Sequence, residues 1–210
     1  MIEQLSALFE ADGPLFFLVA GPNGAGKSTF RLKHLKPAEF PCIDPDEVAR
    51  NLFKRDPRNK SEARQATIEA GRLVAEQFLT HSSFGLETVF SDMHGIKLDL
   101  LKNARKHGYR TAVIFVGLDH PDLSIARVWD RVDQGGHDVP DELIRARFPR
   151  SFQNLKRAIP LCDFVVLVDN SRESRHRIFG TITPGKGAHI WDAVPRWYEE
   201  FGIGTLPGGS

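Results

Sequence analysis

Nine residues, "GPNGAGKST" at 21–29, constrain the fold of this chain more than any other stretch. They lie directly between an apolar run, "LFFLVA" at 15–20, and the polar "FRLKHLK". Gly21, Gly26, Lys27 and Ser28 satisfy the pattern G-x-x-x-x-G-K-[ST] in full. A strand buried on both faces, a glycine loop and a helix in that order require an α/β fold. The glycines let the backbone wrap with its N–H groups turned inward, which makes an anion nest. The helix behind them adds about half a positive charge at its amino end. Gly21, Pro22, Asn23, Gly24, Ala25, Gly26, Lys27, Ser28 and Thr29 are therefore the expected nucleotide-binding residues. Lys27 reaches the outer phosphates, Ser28 can hold Mg²⁺, and Thr29 lies near the inner phosphate. The expected ligand is a nucleoside triphosphate, ATP, with Mg²⁺.

The rest of the chain repeats the same alternation. "FPCI" (40–43), "FGLETVF" (84–90), "TAVIFVGL" (111–118) and "FVVLVDN" (164–170) read as further strands. Between them, Ala66, Ala70, Leu73, Val74 and Phe78 recur at helical spacing, as do Ile96, Leu100, Leu101 and Ala104. Gly108 suits the left-handed stop of that second helix. Another helix starts near Pro121. Alternating strands and helices give parallel βαβ units with right-handed crossovers. The strands have lost their polar alternation, as strands covered on both faces do. The expectation is a five-stranded parallel sheet with helices on both faces. A C-terminal hairpin around "PGKG" and a short helix in "VPRWYEEF" would sit against it as an appendage. With 210 residues, the expected organisation is one P-loop domain: a core at 14–170, a lid at 134–150 and the appendage at 175–210.

Composition excludes several classes. Apolar residues make up 41% of the chain, enough for a core and too many for a disordered one. The net charge of +1 supplies no global field for nucleic acid or membrane. No apolar run approaches the ~18 residues of a membrane span, and the acidic start "MIEQLSALFEADG" is unlike a signal peptide. Cys42 and Cys162 lack metal-ligand spacing and are expected to be reduced, buried thiols. A cytoplasmic protein is the resulting expectation.

Open α/β sheets bind ligands beyond the carboxyl ends of their strands, so residues there decide between a switch, a pump and a kinase. After the second strand, "IDPDEVAR" puts Asp44 and Asp46 beside the γ-phosphate position. Transfer to a hydroxyl needs a carboxylate to orient the alcohol and accept its proton. One of the two suits that role; either could instead cap the helix that follows. Asp44 is the nearer candidate for a Mg²⁺ water. Glu87 lies in an otherwise apolar strand, where an unpaired carboxylate is costly. It can order a metal-bound water or hold a polar substrate, with Thr88 adding a hydroxyl. Arg127 and Arg131, four apart, share a helix face and can clamp the transferring phosphoryl group, or pair with Asp130 and Asp133. Gly135 and Gly136 offer a hinge. Arg145, Arg147 and Arg150 follow as a lid that would close over phosphates. Arg50 and His137 complete the candidate acceptor contacts.

Together, "FFLVAGPNGAGKSTF", "IDPDEVAR", "GLETVFSD", "ARVWDRVDQGGHDVP" and "RARFPRSFQNL" resemble the zeta toxin family of P-loop kinases over about residues 14–170. The closest likeness is to the family's small members, often labelled predicted ATPases of the ABC type. The resemblance implies a kinase-type sheet with strand order 2-3-1-4-5. It implies ATP-dependent phosphorylation of a sugar hydroxyl on a UDP-N-acetyl-hexosamine, which poisons cell-wall precursor supply. It implies Asp46 as the base and lid-side arginines that sense the γ-phosphate, Arg131 being the nearer match for the first. It also brings in an antitoxin protein as a partner. The chain departs from the fuller toxins: "GGHDVP" offers His137 at the second sensor position, and a longer C-terminal sugar-nucleotide region is missing. The acceptor thus stays open, since related P-loop kinases phosphorylate antibiotics or dinucleotides. Two other classes compete. An ATPase or nucleotide switch should carry a transporter-type LSGGQ signature, of which "DQGGHD" is a poor copy. A nucleic-acid end kinase would use the basic "RARFPRSFQNLKR" (145–157), but that stretch has little aromatic interleaving.

Overall fold

The computed structural model describes residues 11–35, 40–54, 59–134, 136, 138–172 and 176–205. The expectations for residues 1–10, Gly135, His137 and the ends of the appendage fall outside those residues. Strand β1 (Leu15–Ala20) is buried along its whole length. The glycine loop follows, then α1 (Lys27–His34), β2 (Cys42–Ile43), α2 (Pro45–Phe53), α3 (Lys60–Thr80), β3 (Phe84–Thr88) and α4 (Ile96–Lys106). Next come β4 (Arg110–Gly117), α5 (Pro121–Asp133), α6 (Asp141–Ala158) and β5 (Phe164–Asp169). The chain closes with β6 (Arg177–Thr183), β7 (Gly187–Ile190) and α7 (Arg196–Glu200).

The sheet is not the expected five-stranded parallel one. It is mixed and seven-stranded, in the order β2-β3-β1-β4-β5-β6-β7. Its first five strands in that order pair parallel. The hairpin is no separate appendage, because β6 pairs antiparallel with β5 and continues the sheet. The physical reason is in β6 itself. "RIFGTIT" buries its five central residues, so it covers what would otherwise be an open, apolar edge at β5. The short helix behind it is equally integrated: Trp197 is fully buried and packs against Phe115, Phe152 and Phe179. Cys162 is fully buried as expected, whereas Cys42 is only half-buried, on the short edge strand β2.

One part of the apolar interior stands apart. Ile125, Val128, Val139 and Ile144, with Val132 against them, form a small cluster separate from the main core. It joins α5 to the start of α6. The second half of α6 belongs to the main core through Phe148, Phe152, Leu155 and Ala158. Among the described residues no helix is long and apolar enough to cross a membrane.

Candidate active site

The parallel register fixes which residues meet at the carboxyl edge. Val19 pairs with Glu87 and Ala20 with Thr88, while Ile43 pairs with Leu86. The loop after β1, the residues after β2 and the end of β3 therefore emerge side by side. Gly21 makes the first turn possible. At φ 147°, it passes so close to β4 that a Cβ would lie 2.1 Å from the Val116 carbonyl oxygen.

Helix α1 begins without a capping side chain and without an acid in its first turn. Its leading N–H groups have no partner within the helix, so the amino end favours an anion. Lys27 is 8% exposed, and its Nζ donates to the Pro22 carbonyl at 2.9 Å. Burial pushes the ammonium below its ordinary value; Glu87, Asp44 and Asp46 act in the opposite direction, and Arg131 adds to the lowering. The cationic and anionic groups expected at this site thus lie within electrostatic reach of one another.

Ser28 donates its hydroxyl to Glu87 Oε1 at 2.5 Å. Glu87 Oε2 accepts from Arg31 Nε at 3.3 Å. The carboxylate that looked costly in an apolar strand is thereby paired twice. Arg31 also reaches Glu47 at 3.2 Å and Asp44 at 3.9 Å. The sequence reading missed Arg31, although it lies four residues after Lys27 and shares its helix face.

The two aspartates after β2 have different surroundings. Asp44 is buried and caps α2, its Oδ1 accepting from the Asp46 N–H at 3.0 Å. Burial, then the charges of Glu87 and Asp46, push its carboxyl up to about 6, against the cap bond and Arg31. Asp46 is exposed in the first turn of α2. Its charge acts on Lys27 and also on Arg147 of α6. Thr88 is half-buried, and its Oγ1 accepts from the Phe90 N–H at 3.1 Å. Arg50 is exposed on α2.

Arg127 flanks the loop: a Cβ on Gly24 would lie 3.3 Å from Arg127 Cβ and 2.7 Å from the Ser124 carbonyl. Three buried polar atoms here have no partner among the described residues: Arg127 Nη1, Asn23 Oδ1 and Ser124 Oγ. Arg131 is exposed on the same helix. Of the expected lid arginines, Arg147 and Arg150 are half-buried. Arg145 pairs with Asp122 at 2.5 Å and so ties α6 to the start of α5. Trp129 makes a second tie, donating Nε1–H to Asp141 at 3.1 Å.

Two more contacts escaped the sequence reading. Asn170 Nδ2 donates to the Ala25 carbonyl at 2.9 Å, and His176 Nε2 bonds the Gly26 carbonyl at 3.0 Å. Burial pushes the His176 imidazole down; the Gly26 bond opposes this, and His34, Lys33 and Arg127 add to it. In the unfolded chain this ring titrates near its ordinary value, so below that pH the unfolded state takes up the proton more readily. The stability it contributes is complete above about pH 6.5 and is lost as pH falls through the lower folded value. Melting temperatures at about pH 7.5 and pH 5.5 should therefore fall further for the wild type than for His176→Gln. Equal losses would contradict this.

A glycine loop feeding an uncapped helix, a buried lysine and carboxylates at the carboxyl edge of a seven-stranded mixed sheet define a P-loop, kinase-like class of protein. The sequence model of the family described as Zeta toxin matches residues 3–180, and the chain belongs to the zeta toxin family. It is 28% identical over 132 residues to an uncharacterized protein of Haemophilus influenzae, covering 61% of this chain and 88% of that one. Its fold is similar to that of AvrRxo1-ORF1:AvrRxo1-ORF2 crystallised with sulphate ions, with TM-score 0.69 and 15% identity, over 100% of this chain and 69% of that one. The same complex with ATP gives TM-score 0.67 at 15% identity, over 99% and 68% of the two chains. The PezAT chromosomal toxin-antitoxin system of Streptococcus pneumoniae gives TM-score 0.58 at 14% identity, over 83% and 76%.

Proposed function

We propose that this protein is an ATP-dependent small-molecule kinase that transfers the γ-phosphate of ATP·Mg to a hydroxyl. A UDP-N-acetyl-hexosamine is the acceptor its family favours. The observation that carries the reading is Asp46: an exposed carboxylate beside the phosphate loop, with its charge felt at both Lys27 and Arg147. A hydrolase or switch has no need for an open carboxylate facing the lid; a kinase needs one to receive the acceptor's proton.

The loop and the amino end of α1 hold the phosphates, and Lys27 neutralises the outer ones. Arg127 Nη1, orphaned and buried in the described structure, gains a partner when a phosphate oxygen arrives. Arg131 adds charge at the γ-phosphate. Asp46 orients the acceptor hydroxyl and takes its proton as the oxygen bonds to phosphorus and the bond to the ADP oxygen breaks. Arg50, Glu87 and Thr88 are the described residues that would contact the acceptor; the same role expected of His137 lies outside the described residues.

The residues suit Mg²⁺, which keeps several waters and takes one or two protein oxygens together with phosphates. Among the described residues, no group of three or more His, Cys, Asp and Glu forms a metal cage by itself. Ser28 would bind the ion directly, with Asp44 and Glu87 holding its waters. Held by those residues, Mg²⁺ would supply positive charge against the negative charge that develops on the transferring phosphoryl group. The chain forms one P-loop kinase domain, with residues 134–150 as its lid. The separate apolar cluster of Ile125, Val128, Val139 and Ile144 supports the amino-terminal part of that lid, while Phe148, nearer its end, is anchored in the main core. An antitoxin-type protein partner and a cytoplasmic location complete the proposal, both taken from what the family implies.

The test is transfer from [γ-³²P]ATP across a panel of sugar nucleotides, dinucleotides and small alcohols. Label on a sugar nucleotide supports the full reading. Label on another alcohol keeps the kinase and replaces the acceptor. Label released only as inorganic phosphate contradicts a kinase.

A further inference from the structure

We propose that Asn170 and His176 are positioning residues for the nucleotide: they hold the phosphate loop in its binding shape from behind. The inference rests on the nucleotide-binding reading above and extends it to residues far along the chain, at the end of β5 and just before β6.

The geometry is direct. Asn170 is 8% exposed and donates to the Ala25 carbonyl at 2.9 Å. The ring of His176 donates Nε2–H to the Gly26 carbonyl at 3.0 Å. Both side chains cover the Gly26 α-carbon, where a Cβ would lie 2.7 Å from Asn170 Nδ2 and 3.0 Å from His176 Nε2. Gly26 itself is left-handed, at φ 81°. There are no cis peptides among the described residues, and in a trans peptide the C=O and the N–H point in opposite directions. The Ala25 carbonyl shares its peptide with the Gly26 N–H, and the Gly26 carbonyl shares its peptide with the Lys27 N–H. The Gly26 carbonyl also accepts the first bond of α1, from the Phe30 N–H at 2.8 Å. With Asn170 on the Ala25 carbonyl and His176 as a second donor to Gly26, both carbonyls are held behind the loop and the two N–H groups are turned to the other side, where a phosphate would bind.

The anchors are themselves held. The Asn170 N–H donates to the Gly117 carbonyl at 3.1 Å. The preceding residue, Asp169, is buried and accepts from Ser171 at 2.6 Å, Arg177 at 3.1 Å and Trp197 Nε1 at 3.3 Å. His176 packs edge-on to Phe30 of α1 at 5.3 Å between ring centres. The β6 segment and α7 thus reach the phosphate loop through Asp169, Asn170 and His176. The alternative is that these contacts only fasten the C-terminal strands to the core, which would affect stability and leave nucleotide affinity alone.

Calorimetry with Mg²⁺ and a non-hydrolysable ATP analogue separates the two. Asn170→Asp sets a carboxylate oxygen against the Ala25 carbonyl and should weaken binding about tenfold or more. Asn170→Ala and His176→Ala should each weaken it about three- to tenfold, the worth of one lost hydrogen bond. His176→Gln restores an N–H donor and should bind within about twofold of wild type. Binding within twofold of wild type by Asn170→Ala and His176→Ala, even with lowered melting temperatures, overturns the inference. If Asn170→Asp fails to fold, Asn170→Ala and the His176 pair still decide. A wild-type protein that binds no nucleotide overturns the function itself, so the two failures are distinct.

Discussion

Lys27→Ala should weaken ATP·Mg binding at least tenfold and reduce turnover to background, without lowering the melting temperature. The ammonium is buried, and in the ligand-free protein a neutral carbonyl, Pro22 O, is its direct partner. Hydrogen bonds to charged groups contribute about 1.5–3 kcal/mol, so losing the contact to the outer phosphates costs one to two powers of ten in affinity. Turnover suffers further, because charge on the phosphoryl oxygens must be balanced as transfer proceeds. Stability moves the other way. Burial already disfavours the charged form of Lys27, so alanine relieves a penalty that the fold carries for the ligand's sake. Calorimetry, turnover and thermal melts on the same preparation check all three; unchanged affinity and turnover would contradict the phosphate-loop role.

Asp46→Asn should keep ATP affinity within about twofold and lose phosphate transfer by about 10²–10⁴-fold, the usual worth of a general base. Asparagine preserves size and polarity but cannot take the acceptor's proton. Asp46 is exposed, so the substitution leaves no buried group unpaired. Asp44→Asn is the necessary comparison. Its amide oxygen can still cap α2, but the charge beside Arg31 and the metal position is gone. That variant should need more Mg²⁺ and transfer normally once saturated. Normal transfer by Asp46→Asn with none by Asp44→Asn would exchange the two roles. Lower melting temperatures with intact transfer in both would leave two helix caps and no base.

The parts of the fold legible in the sequence are those set by local pattern. "LFFLVA" and "TAVIFVGL" have no polar alternation because both faces of β1 and β4 are covered, and each forms the strand expected there. Pairing between distant segments is not local. Nothing in "RIFGTIT" says that it joins the open side of β5, so the sheet grew from five strands to seven and became mixed. The site divides in the same way. Lys27, Ser28, Asp44 and Glu87 were legible because each is a polar group where a strand ends or a loop turns. Arg31 was hidden among the basic residues of "RLKHLK", and its meaning depends on Glu87, which is brought beside it by β3. Asn170 and His176 were invisible for the same reason: an asparagine after a strand and a histidine before one acquire their role only when the sheet places them behind Gly26. Arg145, read as a lid residue, has an ordinary partner in Asp122 that only the α5–α6 packing supplies.

The most direct test of the kinase reading is to quantify ADP, inorganic phosphate and phosphorylated acceptor in one reaction with ATP·Mg and a UDP-N-acetyl-hexosamine. A kinase yields phosphorylated acceptor equal to the ADP formed, with inorganic phosphate near background, and Asp46→Asn abolishes that product. ADP matched by inorganic phosphate, with no phosphorylated acceptor from this or any other hydroxyl compound, would contradict it.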